Sequence, residues 1–267
     1  MQAGGTVYEI PGVEGNNLKT PAPQPPAPLV MIADAHLSRG RGNLDAFFRM
    51  LAALGEGPGD VVFLGDIFDL WIAAPRYEKD FHRKFLIWCR RQKHRRRVGF
   101  VEGNHEFFVA RAHGRSFTWS TQGPWWQNAA GHLFCHGDLV NRADRAYLAF
   151  RRATKNPVSR VVIRGIPLGP RLVEGVKRGL KGANPAFRKH LPVEALRAFA
   201  EMRFKEGATR IFMGHFHRSF HYEGFGGGAL DTLPAWYPEG AVSVLGPDDN
   251  RLRQGPWKDL LPLASCV

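Results

Sequence analysis

Aspartate, asparagine and histidine recur in one setting along this 267-residue chain. Asp34 and His36 close "LVMIADAH", Asp66 closes "DVVFLGD", and Asn104 and His105 close "VGFVEGNH". His136 follows "HLFC", and His215 and His217 close "RIFMGHFH". Each short apolar run thus ends in a carboxylate, an amide or an imidazole. These are hard and borderline donors without a thiolate, a mixture that suits Mn, Fe, Co or Zn in an open site better than a structural zinc knot. Asp-x-His and His-x-His put both members on one side of an extended strand end, because side chains there alternate with period two. The ligand set Asp34, His36, Asp66, Asn104, His136, His215 and His217 is too large for one open coordination sphere. It suits two divalent ions about 3.5–4 Å apart, with Asp66 as the bridging carboxylate. Asp34, His36 and one histidine then serve the first ion, and Asn104, His136 and another histidine the second. A lone His-x-His is ordinarily surface; the succession of strand ends carries the reading. His82, His94, His113, His132, His190 and His221 lack that placement and are read as bystanders.

Such groups need a frame. Continuous apolar runs of this length suit strands buried on both faces. Between the first three lie helical patterns, "NLDAFFRMLAAL" with Asn43 as its cap and "YEKDFHRKFLIWCRRQ". Strands alternating with helices indicate an α/β architecture, with functional groups at the carboxyl ends of the strands. Residues 142–203 break the rhythm and read as a helical insertion, with "GIPLGP" and "GANP" as its breaks. "GAVSVLG" (Gly240–Gly246) is expected to add a strand to a second sheet. Residues 1–28, ending in "PAPQPPAP", read as an extended proline-rich arm. The domain is expected over 29–250, with 251–267 as a C-terminal tail.

Composition narrows the setting. Hydrophobic residues make up 44% and charged residues 23%, as in an ordinary globular protein. No apolar run is long enough for a membrane span, and the N-terminal stretch lacks the basic and apolar regions of a secretory signal. Three cysteines without paired spacing fit a reduced, cytoplasmic compartment. The net charge of +13 and pI near 10.2 favour anionic partners. Basic residues gather in "RRQKHRRR" (Arg90–Arg97) and again between Arg142 and Lys189. In the second stretch they interleave with Val158, Val161, Val162, Ile166, Leu172, Val173, Val176 and Leu180. A basic amphipathic helix can lie on anionic membrane or cover acyl chains; packing on the core is the bland alternative. No aromatic stripe accompanies the basic residues, so nucleic acid is not the expected partner.

Taken in order, Asp34-Ala35-His36, Gly65-Asp66-Ile67-Phe68-Asp69, Gly103-Asn104-His105-Glu106, His136-Gly137-Asp138 and Gly214-His215-Phe216-His217 resemble the motifs of the calcineurin-like metallophosphoesterases. The resemblance implies a four-layer α/β sandwich, two mixed β-sheets flanked by helices, with a dinuclear site at the strand ends. It implies that His217 joins the first ion and His215 the second, with manganese the first candidate. It also implies that His105 is not a ligand and points at the substrate phosphate, where it stabilises charge or protonates the leaving oxygen. Glu106 is read as holding the loop or His105. The implied reaction is in-line attack on phosphorus by a water acidified between two dications, with Asp66 and His105 as catalytic residues.

A narrower resemblance is to the UDP-2,3-diacylglucosamine pyrophosphohydrolases of lipid A synthesis. It rests on "GDIFDLWI" (Gly65–Ile72), "FHRK" (Phe81–Lys84) and "HGDLVNRADRAYLAFR" (His136–Arg151). Gly-Asn-His-Glu stands where those enzymes carry Gly-Asn-Arg-Asp. The narrower family implies a UDP-linked diacyl sugar as substrate, a helical lid after His-Gly-Asp that receives the acyl chains, and peripheral attachment to the inner membrane. Asn104, His105 and His215 would then face the substrate, and Asp144 and Tyr147 fall at its sugar-contacting and chain-adjacent positions. A nuclease or phosphatase of the same superfamily is the alternative. A scaffold without catalysis fits poorly, because every expected ligand is present.

Overall fold

The apolar runs become strands whose alternate residues divide between two cores. The computed structural model describes residues 27–142, 144–165 and 191–264. The strands are β1 (Leu29–Ile32), β2 (Asp60–Phe63), β3 (Trp71–Ile72), β4 (Val98–Val101), β5 (Glu106–Phe107), β6 (Trp119–Thr121) and β7 (Trp126–Gln127). They continue as β8 (His132–Cys135), β9 (Arg210–Met213), β10 (Phe220–Glu223), β11 (Ala229–Thr232), β12 (Ala241–Leu245) and β13 (Leu252–Pro256). One sheet has the order β13-β12-β1-β2-β4-β6, a second β10-β11-β9-β8-β7, and β3 and β5 form a small pair of their own. β1, β2, β4 and β6 run parallel, as do β8, β9 and β11, while β12, β7 and β10 add antiparallel to them. The expected mixed sheets are present.

Helices α1 (Leu44–Glu56) and α2 (Asp80–Gln92) cover the outer face of the first sheet. Val30, Ile32, Val61, Phe63, Val98 and Phe100 meet Phe47, Leu51, Phe85 and Cys89 there. The intervening residues Met31, Val62 and Val101 point the other way and pack against Phe134 and Phe212 of the second sheet. That sheet's outer face carries Leu133, Cys135, Ile211 and Leu230 against Leu196, Ala200 and Phe204 of a helix at Val193–Lys205. Helix, sheet, sheet, helix is the four-layer order.

Several expectations change. β12 joins the first sheet, antiparallel to β1 with Leu29 opposite Leu245, and not the second. All five of its residues are buried, which a central strand requires. The segment set aside as a tail forms β13, paired along its length with β12, and a helix at Trp257–Ala264 whose Leu261 reaches the first core. Within the insertion, helices form at Arg145–Thr154 (α4, after the short α3 at Val109–His113) and Pro157–Gly165 (α5), but Val193–Lys205 (α6) is the fourth layer of the sandwich. Asn43 occupies the cap position of α1 without bonding its amides. Its Nδ2 donates to the Ala35 carbonyl and its Oδ1 accepts the Ser38 N–H, so it braces the loop after β1. Residues 1–26, the two expected helix breaks, Ile166, Leu172, Val173, Val176, Leu180, His190 and Cys266 lie outside the described residues.

Candidate dinuclear metal centre

The ligand-bearing loops leave the carboxyl ends of β1, β2, β4, β8 and β9 side by side. The first two continue in step: the His36 N–H donates to the Asp66 carbonyl and the Leu37 N–H to the Ile67 carbonyl, each at 2.9 Å. The side chains do not converge by the alternation of an extended strand. Asp34 (φ 53°), His36 (44°), Asp66 (53°), His215 (73°) and His217 (58°) all have left-handed backbone. Non-glycine residues in that region cost on the order of 1–3 kcal/mol each and cluster where a site requires them. The Asp-x-His and His-x-His pairs meet because both members turn back, and the period-two expectation is replaced by this one.

Each carboxylate is divided between scaffold and site. Asp34 Oδ2 accepts the His215 N–H at 2.7 Å, and Oδ1 lies 3.3 Å from His217 Nε2. Asp66 Oδ1 accepts the His105 N–H at 2.8 Å, leaving Oδ2 3.5 Å from His136 Nε2 and 3.7 Å from His105 Nε2. The Nε2 atoms of His36 and His217 face each other at 3.4 Å. His136 donates from Nδ1 to the Leu64 carbonyl at 2.8 Å, which turns Nε2 into the site, 3.0 Å from Asn104 Oδ1. Three groups close enough to hold an ion result: Asp34, His36 and His217; Asp66, His136 and His215; and His36, Asp66 and His105. The first two separate Asp34, His36 and His217 from Asp66, His136 and His215, and the third joins them through His36 and Asp66.

Electrostatics suit a cation. Burial pushes His36 down to about 4, and burial with the His136 charge does the same to His215. Both imidazoles are therefore neutral, lone-pair donors at ordinary pH. Burial alone would raise Asp34 and Asp66, but neighbouring imidazoles outweigh it and both stay below the usual carboxylate range. Burial would lower His136, yet the Asp66 charge lifts it to about 10. Burial would lower His217, yet its contact with Asp34 raises it, so the space where its Nε2 meets that of neutral His36 at 3.4 Å, beside carboxylates buried from water, favours a proton or a cation. The donor set fits divalent metal.

Gly-Asn-His-Glu now separates into four tasks. A Cβ on Gly103 would stand 2.3 Å from Asp66 Oδ1, so only glycine lets the two loops touch. Asn104 faces His136. His105 donates from Nδ1 to the Asp69 carbonyl at 2.7 Å, leaving Nε2 toward His36 and Asp66 with its side chain one-third exposed. Glu106, fully buried, gathers the N–H groups of Asp66, Ile67, Phe68 and Gly103 and so ties the two loops together.

Three of the bystander histidines have structural partners. His82 is buried and stacked on Trp71, His113 pairs with Glu78, and His221 with Asp231. Asp144, half-exposed, caps α4 by accepting the Tyr147 N–H, and the Tyr147 hydroxyl donates to Asp138. Sequence reasoning missed the partners of those residues. Tyr147, Arg151 and Lys155 sit four apart and share one face of α4, a signal present in "DRAYLAFRRATK". Arg151 Nε donates to Asp138 Oδ2 at 2.8 Å, and Lys155 Nζ reaches the Gly103 carbonyl.

Beside the site lies an apolar cavity of about 440 Å³. Trp125, Val140, Leu148 and Phe199 line it together with Gly137, the neighbour of His136.

The family model of the calcineurin-like phosphoesterases matches residues 27–219. The UDP-2,3-diacylglucosamine hydrolase of Aeromonas salmonicida is 26% identical over 87% of this chain and 95% of its own. The enzyme of the same name from Actinobacillus succinogenes is 28% identical, covering 84% and 97%. A solved archaeal phosphodiesterase superposes with a TM-score of 0.44 at 10% identity, over 85% of this chain and 98% of that one.

Proposed function

The chain belongs to the calcineurin-like phosphoesterases, a family of hydrolases, and from that premise we propose that it cleaves the pyrophosphate of UDP-2,3-diacylglucosamine. The products are 2,3-diacylglucosamine 1-phosphate and UMP. The observation that supports the reading is the pair of carboxylate–imidazole groups, Asp34 with His36 and His217 and Asp66 with His136 and His215, joined by a third through His36 and Asp66. Asp34, His36 and His217 would hold one divalent ion and Asn104, His136 and His215 the other, with Asp66 as the carboxylate they would share. When bound, two dications polarise phosphoryl oxygens and lower the pKa of an attacking water. His105, anchored through Nδ1, offers Nε2 to the phosphoryl oxygen or to the departing oxygen. The apolar cavity by Gly137 has the size of a ligand pocket and suits an acyl chain. The names of the two relatives support the same substrate class.

The test is hydrolysis of UDP-2,3-diacylglucosamine, UDP-N-acetylglucosamine and a small aryl phosphodiester, with Mn, Fe, Co and Zn titrated into metal-free protein. Burying four methylenes at about 0.8 kcal/mol each separates the first two substrates by roughly 200-fold in kcat/KM. Equal cleavage of the bare UDP-sugar would remove the lipid from the substrate and leave the metal chemistry standing.

A further inference from the structure

Helix α4 touches two of the loops that carry ligands of the second ion, those of His136 and Asn104. At its first turn the Tyr147 hydroxyl donates to Asp138, and one turn on Arg151 Nε reaches the same oxygen at 2.8 Å. Asp138 is buried two residues beyond His136. At the end of the helix Lys155, its side chain only 6% exposed, donates to the Gly103 carbonyl. That carbonyl belongs to the peptide bond leading into Asn104. Lys155 also lies 3.5 Å from Glu102 Oε1 and over the Phe107 ring. Glu102 in turn accepts the N–H groups of Phe108 and Ala110 on the far side of His105. The loop that presents Asn104 and His105 is therefore gripped before and after by one buried ammonium and its carboxylate. A lysine needs a reason to give up its hydration, and the Gly103 carbonyl and Glu102 are the polar partners it meets there.

We infer that Lys155 is a positioning residue for Asn104, and that α4 thereby ties the segment after His-Gly-Asp to the ligand set of the second metal ion. The inference rests on the dinuclear reading above. A group that orients a ligand tunes metal affinity without touching the metal, and losing one typically costs 10–100-fold. Arg151 and Tyr147 brace the His136 loop from the same helix face, so a displacement of α4 shifts both ligand loops together.

The test is titration of metal-free protein with Mn(II), followed by calorimetry, for wild type, Lys155→Met, Lys155→Arg and Asn104→Ala. Lys155→Met is expected to keep its first-ion affinity and to lose ten- to a hundredfold in the second. Lys155→Arg, which retains a cationic donor, recovers most of that loss. On an aryl phosphodiester at fixed metal, kcat falls and KM stays within about threefold. In the Asn104→Ala background Lys155→Met adds less than about threefold, because the two act through one ligand. A wild type that binds fewer than two ions sinks the dinuclear reading, and this inference with it. Two ions in wild type with an unchanged second affinity in Lys155→Met sink the positioning role alone. A full, additive effect on top of Asn104→Ala does the same, as does loss of both affinities together, which would make Lys155 a residue of the fold.

Discussion

Asp66 and His105 lie 3.7 Å apart and are assigned opposite relations to the metals, which makes them the most informative pair to change. On the proposed assignment Asp66→Ala removes a ligand of both ions, so metal content and turnover are expected to fall together. His105→Ala removes a donor to phosphate and leaves both ligand groups intact. Turnover on an aryl phosphodiester is expected to drop 10²–10⁴-fold, the usual worth of a positioned proton donor, with metal stoichiometry unchanged. His105→Arg restores part of it, since a guanidinium meets phosphate oxygens. Elemental analysis of the purified variants decides. A His105→Ala protein lacking one ion would place His105 among the ligands, as its proximity to His36 and Asp66 allows. The donor types were legible in the sequence because each closed an apolar run. The way they converge was not. Left-handed aspartate and histidine leave no trace in hydrophobic pattern, and only the folded loops, with Asp34 and Asp66 bonded to backbone N–H groups, hold them there.

Among the elements, the strands and the helices between them were readable from periodicity, because alternate faces of β1, β2 and β4 enter different cores. The sheet assignment of β12 was not readable, since an apolar pentapeptide fits the centre of either sheet. The Asn43 side chain was misread for a related reason: the signal for a cap is local, and its actual partners belong to the loop after β1. A second local feature gives a measurable consequence. His82 in the first turn of α2 is 1% exposed, accepts the Lys79 N–H and stacks on Trp71. Burial, with the charges of Lys79 and His113, pushes it down to about 3 from 6.5. The folded chain refuses a proton that the unfolded chain takes up below 6.5. This contribution to stability is therefore complete above pH 6.5 and drains away as the pH falls toward 3. At pH 5 the loss amounts to about 2 kcal/mol. Urea unfolding of His82→Phe at pH 7.5 and 5 is expected to show a shallower decline than wild type by that amount. Parallel declines would mean that His82 titrates as freely in the folded chain as in the unfolded one.

At the scale of the molecule, contacts to the candidate ligand loops and surplus charge meet on the same segment. α5 turns Ile163 inward, against Ile72, Ala74 and Tyr77, and leaves Val158 and Val161 each 71% exposed, with Val162 and, on α4, Phe150 also open. Arg142, Arg145 and Arg152 are exposed on the approach to and along α4. No helix among the described residues is long and apolar enough to cross a membrane. An exposed apolar face beside arginines, on a chain of net charge +13, is the composition of a surface that rests in the headgroup region of anionic lipid. An enzyme acting on a diacylated sugar would gain from that placement, because its substrate resides there. Co-sedimentation with vesicles containing phosphatidylglycerol is expected, weakening as salt rises through the range in which exposed charges are screened. Val158→Asp and Val161→Asp should each reduce partitioning roughly tenfold, about the worth of burying one valine. Hydrolysis of a soluble aryl phosphodiester should be untouched by either change, since neither residue belongs to the candidate ligand groups or lines the cavity by Gly137. Equal binding to neutral phosphatidylcholine would remove the electrostatic half of the argument. Undiminished binding by both aspartate variants would remove α5 from the membrane contact altogether.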